Sequence, residues 1–284
     1  MKIWFNGEIV ELAQARLSPL DRGVTVGDGV FETLRVYRGT PFAWRRHHER
    51  LVHSAEALGL DPPGSGTLRS AAAAVIAAND LCDARLRITV TGGEGQPGSS
   101  RAGSIATGNQ GAHAWITAWP FTPWSGSADV VIAPWTRNER SATAGLKTIS
   151  YAANVRALAF AEAAGASEAI FANTAGNLCE ATGSNVFTVR DGRLATPPLT
   201  AGCLAGVTRG LILELARDLG LGGDETDLPI ETLDRVDEAF LSSTTREAQP
   251  IARVDGVPLP AAPGPVTVAI AAAYQELVAR DLDP

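Results

Sequence analysis

Cysteine is scarce in this 284-residue chain, with Cys82, Cys179 and Cys203 the only three. Their odd number and unpaired spacing argue against a disulfide framework or a cysteine metal site, and fit a reducing cytoplasm with free thiols. Long apolar runs are missing as well. The Ala71–Ala78 stretch is too short to cross a bilayer and predicts a helix, and Met1–Gly7 carries no leader-like run. Positive charge is in deficit: 24 Lys and Arg stand against 31 Asp and Glu, a net charge of −7. That argues against a general binder of nucleic acid or anionic membrane. No Walker or dinucleotide glycine fingerprint occurs in a strand–turn–helix setting. What remains is the composition of an ordinary soluble protein, 45% hydrophobic and 19% charged, long enough for two modest domains.

Patterning along the chain predicts an α+β protein. Asn6-Gly7 between apolar flanks marks a hairpin over Ile3–Val10. Gly27–Tyr37 alternates, with Phe31, Thr33, Arg35 and Tyr37 on one face and Glu32, Leu34 and Val36 on the other. Arg45–Leu58 predicts a helix with an apolar stripe of Leu51, Ala55 and Leu58. His47-His48-Glu49 on that helix does not make a metal site, because adjacent helical residues diverge. A helix over Thr67–Ala78 and a strand over Leu86–Thr91 precede the glycine-rich, aperiodic stretch Gly92–Gly111. Strands over Ala114–Trp119 and Asp129–Ala133 flank Pro120–Ser127, the best linker candidate. Tyr151, Val155, Leu158 and Glu162 describe a helix lying by that face on the small domain or sheet. Strands are expected at Ala169–Ala172, Leu178–Thr182, Asn185–Val189 and Arg193–Thr196, then helices from Leu204 to about Asp218 and from Pro265 to Leu282. The expected division is a small N-terminal domain over 1–119, a linker over 120–127, and a larger, mainly antiparallel β domain with helices over 128–284.

Two residues carry the chemistry: Lys147, between a strand and a helix, and Glu180, in a later hairpin. A desolvated lysine amine can form a Schiff base with an aldehyde cofactor, and a carboxylate can keep a pyridine nitrogen protonated. Alone, such a pair is weak evidence, since surface Lys and Glu are common. The helix start at Leu204–Leu211 adds free backbone N–H groups, which suit a phosphate.

The wording around the pair is more specific. AGLKTISYAANVRAL (144–158), NLCEATGSNVFTV (177–189), GDGVFETLRVY (27–37), the His47-x-x-Arg50-Leu51 pattern, LAGVTR (204–209) and SSTT (242–245) together resemble the fold-type IV pyridoxal-phosphate enzymes. These class IV aminotransferases include branched-chain aminotransferases, D-amino-acid transaminases and 4-amino-4-deoxychorismate lyases. The resemblance implies pyridoxal 5′-phosphate on Lys147, which would exchange with the substrate amine and then move a proton as general base. It implies Glu180 at the ring nitrogen and Tyr151 near the phenolic oxygen. Arg50, Val207, Thr208 and Thr244 would hold the phosphate, Arg50 because its fork donates two hydrogen bonds to an anion, with His47 as its neighbour. Phe31 and Arg35 are expected on a pocket wall, with Phe121 and Trp124 as further lining. The family works as homodimers, so a homodimer is expected.

One departure bears on substrate. D-amino-acid transaminases carry an arginine and a histidine just after the Leu86–Thr91 strand, where this chain has Gly92-Gly93-Glu94-Gly95-Gln96. Arg35, Arg137 and Arg140 are the candidates to replace that carboxylate trap. The GDGVFE and SSTTRE runs point to amino transfer between an amino acid, D-amino acids first, and a 2-oxo acid, with (R)-primary amines accepted in addition. The alternative is a 4-amino-4-deoxychorismate lyase releasing 4-aminobenzoate and pyruvate, since runs like FETLRVY occur there too. A branched-chain L-aminotransferase stands third, because Thr33 replaces a glycine those enzymes share.

Overall fold

Asn6 and Gly7 both sit at positive φ, 47° and 106°, the backbone hand that suits a two-residue turn between right-twisted strands. In the computed structural model, which describes residues 1–101, 111–124 and 126–284, that turn joins β1 (Lys2–Phe5) to β2 (Glu8–Glu11). The expected glycine-rich stretch therefore lies partly outside the described residues. Contacts divide the chain into two units, and the division is not continuous in sequence. The first comprises Met1–Thr122, Leu146–Tyr151 and Asp281–Pro284; the second comprises Pro123–Gly145 and Ala152–Arg280.

In the first unit the hairpin is followed by α1 (Arg22–Val26), β3 (Gly29–Tyr37), β4 (Thr40–Pro41), α2 (Trp44–Ala57), α3 (Ser65–Ala78), β5 (Ala84–Thr91) and β6 (His113–Pro120). Helix α1 has no clear signal in the sequence; Asp21 caps it through the Gly23 N–H. The strands form one sheet in the order β2-β1-β6-β5-β3-β4, antiparallel at every junction. Leu51 and Ala55 of α2 and Leu68, Ala72 and Val75 of α3 cluster with Val30, Leu34 and Val36 of β3 and with Leu86, Ile88 and Ile116. Each fully buried leucine stabilises the fold by roughly 1.5–3 kcal/mol. Strand β3 is more than half-buried, for Phe31, Arg35 and Tyr37 on its other face are buried too.

The second unit runs β7 (Ala128–Ile132), α4 (Ala152–Ala163), β8 (Glu168–Ala172), β9 (Leu178–Ala181), β10 (Asn185–Arg190), β11 (Arg193–Thr196), α5 (Val207–Asp218), β12 (Gly222–Glu225), β13 (Glu238–Ser243), β14 (Glu247–Val254), β15 (Val257–Pro258) and α6 (Pro265–Arg280). Its sheet has the order β12-β11-β10-β13-β14-β7-β8-β9, with β15 on β14. Most junctions are antiparallel, as expected, while β11–β12, β14–β7 and β7–β8 are parallel. The face expected for α4 is corrected. Val155 is 66% exposed, and the helix packs through Asn154, Ala157 and Ala161, because small side chains let it lie close to β8.

Glu238 links sheet to helix. Its carboxylate accepts the Val266 N–H at 3.0 Å, the Thr267 N–H at 2.8 Å and the Thr267 hydroxyl at 2.7 Å. A strand residue thereby caps the first turn of α6 from outside, where Pro265 needs no N–H partner. Gly264 must stay small, since a Cβ there would run into the Glu238 carboxyl group. We expect Glu238→Ala to cost about 2–4 kcal/mol, because bonds to a charged acceptor are worth roughly 1.5–3 kcal/mol each and overlap here. The measurement is the midpoint of urea unfolding, and an unchanged midpoint refutes the capping account.

Candidate active site

In the first unit the segment Leu146–Tyr151 lies beside the start of β3. Thr148 bridges Val30, the Phe31 N–H donates to the Lys147 carbonyl at 3.0 Å, and the Ile149 N–H donates to the Gly29 carbonyl at 2.9 Å. From α2, the buried Ser54 hydroxyl accepts the Lys147 N–H at 3.1 Å. The lysine backbone is therefore fixed on two sides. Its Nζ lies 4.5 Å from the centre of the Phe31 ring, and the Tyr151 ring meets Phe31 edge-on at 5.2 Å. The guanidinium of Arg87 stacks on that same ring at 3.7 Å, with its Nε on the Thr89 hydroxyl at 3.2 Å. Burial pulls the Arg87 pKa below its usual value. Arg87 is a neighbour of Phe31 that the sequence does not announce. In Arg85-Leu86-Arg87-Ile88 it has the look of the wet face of an alternating strand, and only its register opposite Thr33 places it beside Phe31.

Beneath this face a fully buried Glu32 accepts Arg50 Nε at 2.7 Å and Arg50 Nη2 at 2.8 Å, and its Oε2 lies 2.7 Å from His47 Nδ1. Burial alone would raise the Glu32 pKa, but the Arg50 charge and the bonds from Arg50 and His47 hold it well below the usual carboxylate range. His47 moves down, since burial outweighs the pull of Glu32. Arg50 is thus anchored on one edge of its fork. Arg35 is placed elsewhere than the sequence suggested. It donates to the Val36 and Ala84 carbonyls at 2.7 and 3.1 Å, pairs with Asp83 at 3.4 Å and lies between the Tyr37 and Phe121 rings. It stands four residues along the strand from Phe31, roughly 13 Å away, and both of its terminal nitrogens bond to residues of the fold.

In the second unit Glu180 sits on β9. One oxygen accepts the Leu204 N–H at 2.9 Å and the other lies 3.3 Å from Arg137 Nη2. Arg137 therefore sits on Glu180, and Arg140 is exposed in its loop. Helix α5 opens on Val207 and Thr208, with Gly206 at its cap. Asn185 donates to the Leu204 carbonyl at 2.9 Å, and a Cβ on Gly206 would run into the Asn185 Oδ1, so only glycine fits. The buried Thr208 hydroxyl shares a hydrogen bond with Tyr274. Thr244 stands in the turn between β13 and β14. Trp124 carries the Arg246 guanidinium at 4.0 Å, a packing role.

The model for amino-transferase class IV matches residues 29–254. The chain belongs to this family. A putative branched-chain aminotransferase of Methanocaldococcus jannaschii is 32% identical, covering 90% of this chain and 88% of its own. A D-alanine aminotransferase of Bacillus licheniformis is 31% identical, covering 98% and 97%. In three dimensions the chain is similar to the branched-chain aminotransferase of Thermoproteus uzoniensis determined with norvaline, at a TM-score of 0.87 and 33% identity over 98% of this chain and 94% of that one. Class IV aminotransferases are enzymes that use pyridoxal 5′-phosphate. The residues present fit that group. The cap of α5 is held open by glycine, and the buried Ser184 and Ser242 hydroxyls have no hydrogen-bond partner among the described residues, with Ser242 paired across from Asn185.

The clamp on Glu32 sets an acid limit. A carboxyl held low in the folded state stabilises the fold above its unfolded value, 4.5, and that contribution is lost as pH falls from there toward the folded value. We expect wild-type unfolding free energy to drop below pH 4.5. In Glu32→Gln this part of the acid sensitivity should vanish, while stability at pH 7 falls by about 3–5 kcal/mol because Arg50 loses the buried carboxylate that pairs with it. Chemical denaturation of both proteins across pH checks the two effects together.

Proposed function

We propose that the chain moves an amino group between an aliphatic α-amino acid and a 2-oxo acid, with branched-chain L-amino acids the leading donors. One observation carries this reading: the Lys147 amine and the Arg87 guanidinium both lie on the Phe31 ring. An amine that moves protons and a cation that holds a carboxylate thus share one apolar surface, which is what an aliphatic amino acid requires. The names of the relatives support the substrate class, since branched-chain and D-alanine aminotransferases both act on aliphatic amino acids.

The residue roles follow. When bound, pyridoxal 5′-phosphate supplies an electron sink conjugated to the carbon that bears the amino group. Lys147 would take the proton from that carbon as general base and return it as general acid. Glu180 would accept a hydrogen bond from the pyridine nitrogen, and Tyr151 would donate to the phenolic oxygen. Arg50, the N–H groups of Val207 and Thr208, and Thr244 would bind the phosphate, with the opening of α5 adding its dipole. Phe31 excludes water from the Lys147 amine. Arg87 holds the substrate carboxylate, the task for which the sequence offers Arg35, Arg137 and Arg140.

A second reading, amino transfer from D-amino acids with (R)-primary amines also accepted, rests on the D-alanine relative and the SSTT run. A lyase reading ranks below both. We also infer a homodimer in the cytoplasm. Leu17, Leu20, Val24 and Val26 are exposed in one short stretch, an apolar surface that a second copy would cover, and the three free thiols suit a reducing compartment.

Mixing the holoenzyme with L-leucine, D-alanine or aminodeoxychorismate and identifying each product separates the readings; 4-aminobenzoate alone would overturn amino transfer. Lys147→Ala should lower turnover by at least about 10²–10⁴-fold, the usual worth of a positioned general base, with an unchanged melting temperature. Arg87→Gln should raise KM for amino acid and oxo acid by about tenfold or more, since a charge-assisted contact is lost, and leave kcat within a few-fold. A lowered kcat with unaltered KM removes Arg87 from the carboxylate site.

A further inference from the structure

We propose that Arg137 is a positioning residue for Glu180, holding that carboxylate charged and in one orientation, and that it is not a contact for substrate. The proposal rests on the reading of Glu180 as the partner of the pyridine nitrogen.

The geometry carries it from several directions. Phe171 and Glu180 are directly paired across β8 and β9, so their side chains share one face of the sheet. The Arg137 guanidinium lies over the Phe171 ring at 4.5 Å and reaches Glu180 Oε1 at 3.3 Å. Its other terminal nitrogen donates to Asn154 Oδ1 at 3.2 Å, and Asn154 in turn donates to the Thr182 carbonyl, two residues beyond Glu180. The backbone is fixed as well: the Arg137 N–H donates to the Ala172 carbonyl at 2.8 Å, and Arg137 bridges Asn173. Arg137 Nε is buried with no acceptor among the described residues. A side chain stacked on Phe171, hydrogen-bonded to Asn154, ion-paired with Glu180 and tied at its backbone is not a mobile loop cation. Arginine suits the place because one planar fork can stack on Phe171 while spanning Glu180 and Asn154.

Glu180 is held equally firmly, by Arg137 on one oxygen and the Leu204 N–H on the other. Two donors on a carboxylate favour its charged form, and a charged carboxylate is what keeps a proton on a bonded pyridine nitrogen. The neighbouring thiols do not compete. Burial, reinforced by the Glu180 charge, pushes Cys179 upward and Cys203 up to about 12, so both stay neutral. Arg137 and Glu139 also act on Cys179, and Arg209 and Glu225 on Cys203.

The test compares holoenzymes of wild type, Arg137→Gln, Arg137→Lys and Glu180→Gln. Three quantities are read: kcat, KM for amino donor and oxo-acid acceptor, and the pH at which the visible absorbance of the bound cofactor changes. Arg137→Gln should lower kcat by about tenfold or more with both KM values within about threefold, the pattern of a group acting on the reacting centre rather than on substrate binding. It should also move the absorbance midpoint in the same direction as Glu180→Gln does, and Arg137→Lys should recover part of both effects. A rise in KM with unchanged kcat and spectrum makes Arg137 a substrate contact and overturns the proposal. So does a wild-type spectrum and kcat in Arg137→Gln beside a defective Glu180→Gln. If Glu180→Gln itself behaves as wild type, the assignment of Glu180 fails and the proposal falls with it. Should Arg137→Gln not fold, Arg137→Lys decides the matter: with the charge kept and the fork lost, an intermediate kcat and shifted midpoint support the proposal, and wild-type values refute it.

Discussion

Everything the first unit offers to chemistry depends on a short piece of backbone pairing far apart in sequence. The Phe31 N–H and the Lys147 carbonyl, the Ile149 N–H and the Gly29 carbonyl, and the Val30–Thr148 bridge bind six residues to the edge of β3. Sheet pairing fixes side-chain direction by its period of two. Once Thr148 is set opposite Val30, Lys147 has no freedom to face away from Phe31. Ser54 closes the remaining direction by taking the Lys147 N–H. The flexible part is then only the four-carbon side chain, and its amine ends on an aromatic ring that attracts a cation.

Buried carboxylates act as fasteners in both units. Glu32 holds Arg50 and His47, Glu238 holds the start of α6, and Glu168 accepts Thr182 through both its backbone N–H and its hydroxyl while pairing with Arg246 at 3.3 Å. A buried charge without partners costs several kcal/mol, so each of these acids demands its full set of donors. That demand gives precision. Glu168 fixes Thr182, Thr182 fixes Asn154, Asn154 fixes Arg137, and Arg137 fixes Glu180. No apolar contact specifies direction as tightly, because a hydrogen bond weakens steeply with angle.

The order of strands and helices is legible because each element is encoded locally, by alternation in Gly27–Tyr37, by the Asn6-Gly7 turn, and by glycine stops. Lys147 and Glu180 are legible only through the motif around them, since a lone lysine or glutamate carries no signature. Three features are not. The pattern in α4 favours Val155 for the buried face, whereas close packing on β8 selects Ala157 and Ala161. Arg35 lies on the face of β3 that alternation gives it but serves the fold instead of a pocket; the carbonyls that hold it, at Val36 and Ala84, have no sequence signal. Arg137 stands near Lys147 in sequence, while its partners lie on α4 and β9.

Arg87 shows why substrate choice is the hardest property to read from such a chain. Two arginines alternate on β5, and one of them, Arg85, is exposed, as the pattern suggests for both. The difference arises one strand away. Arg87 is registered against Thr33, and β3 turns Phe31 toward it, so a side chain that would otherwise be hydrated lies on a ring and loses water. A guanidinium tolerates this better than an ammonium, being planar and weakly hydrated. Its lost hydration also strengthens any bond it makes to a carboxylate, because the local dielectric is lower than at the surface. With Gly92–Gln96 following it in place of an arginine and a histidine, β5 has in this way a cation available from the strand itself. With Arg87 in the proposed role, specificity follows from the register of two strands, a quantity that no single stretch of sequence contains.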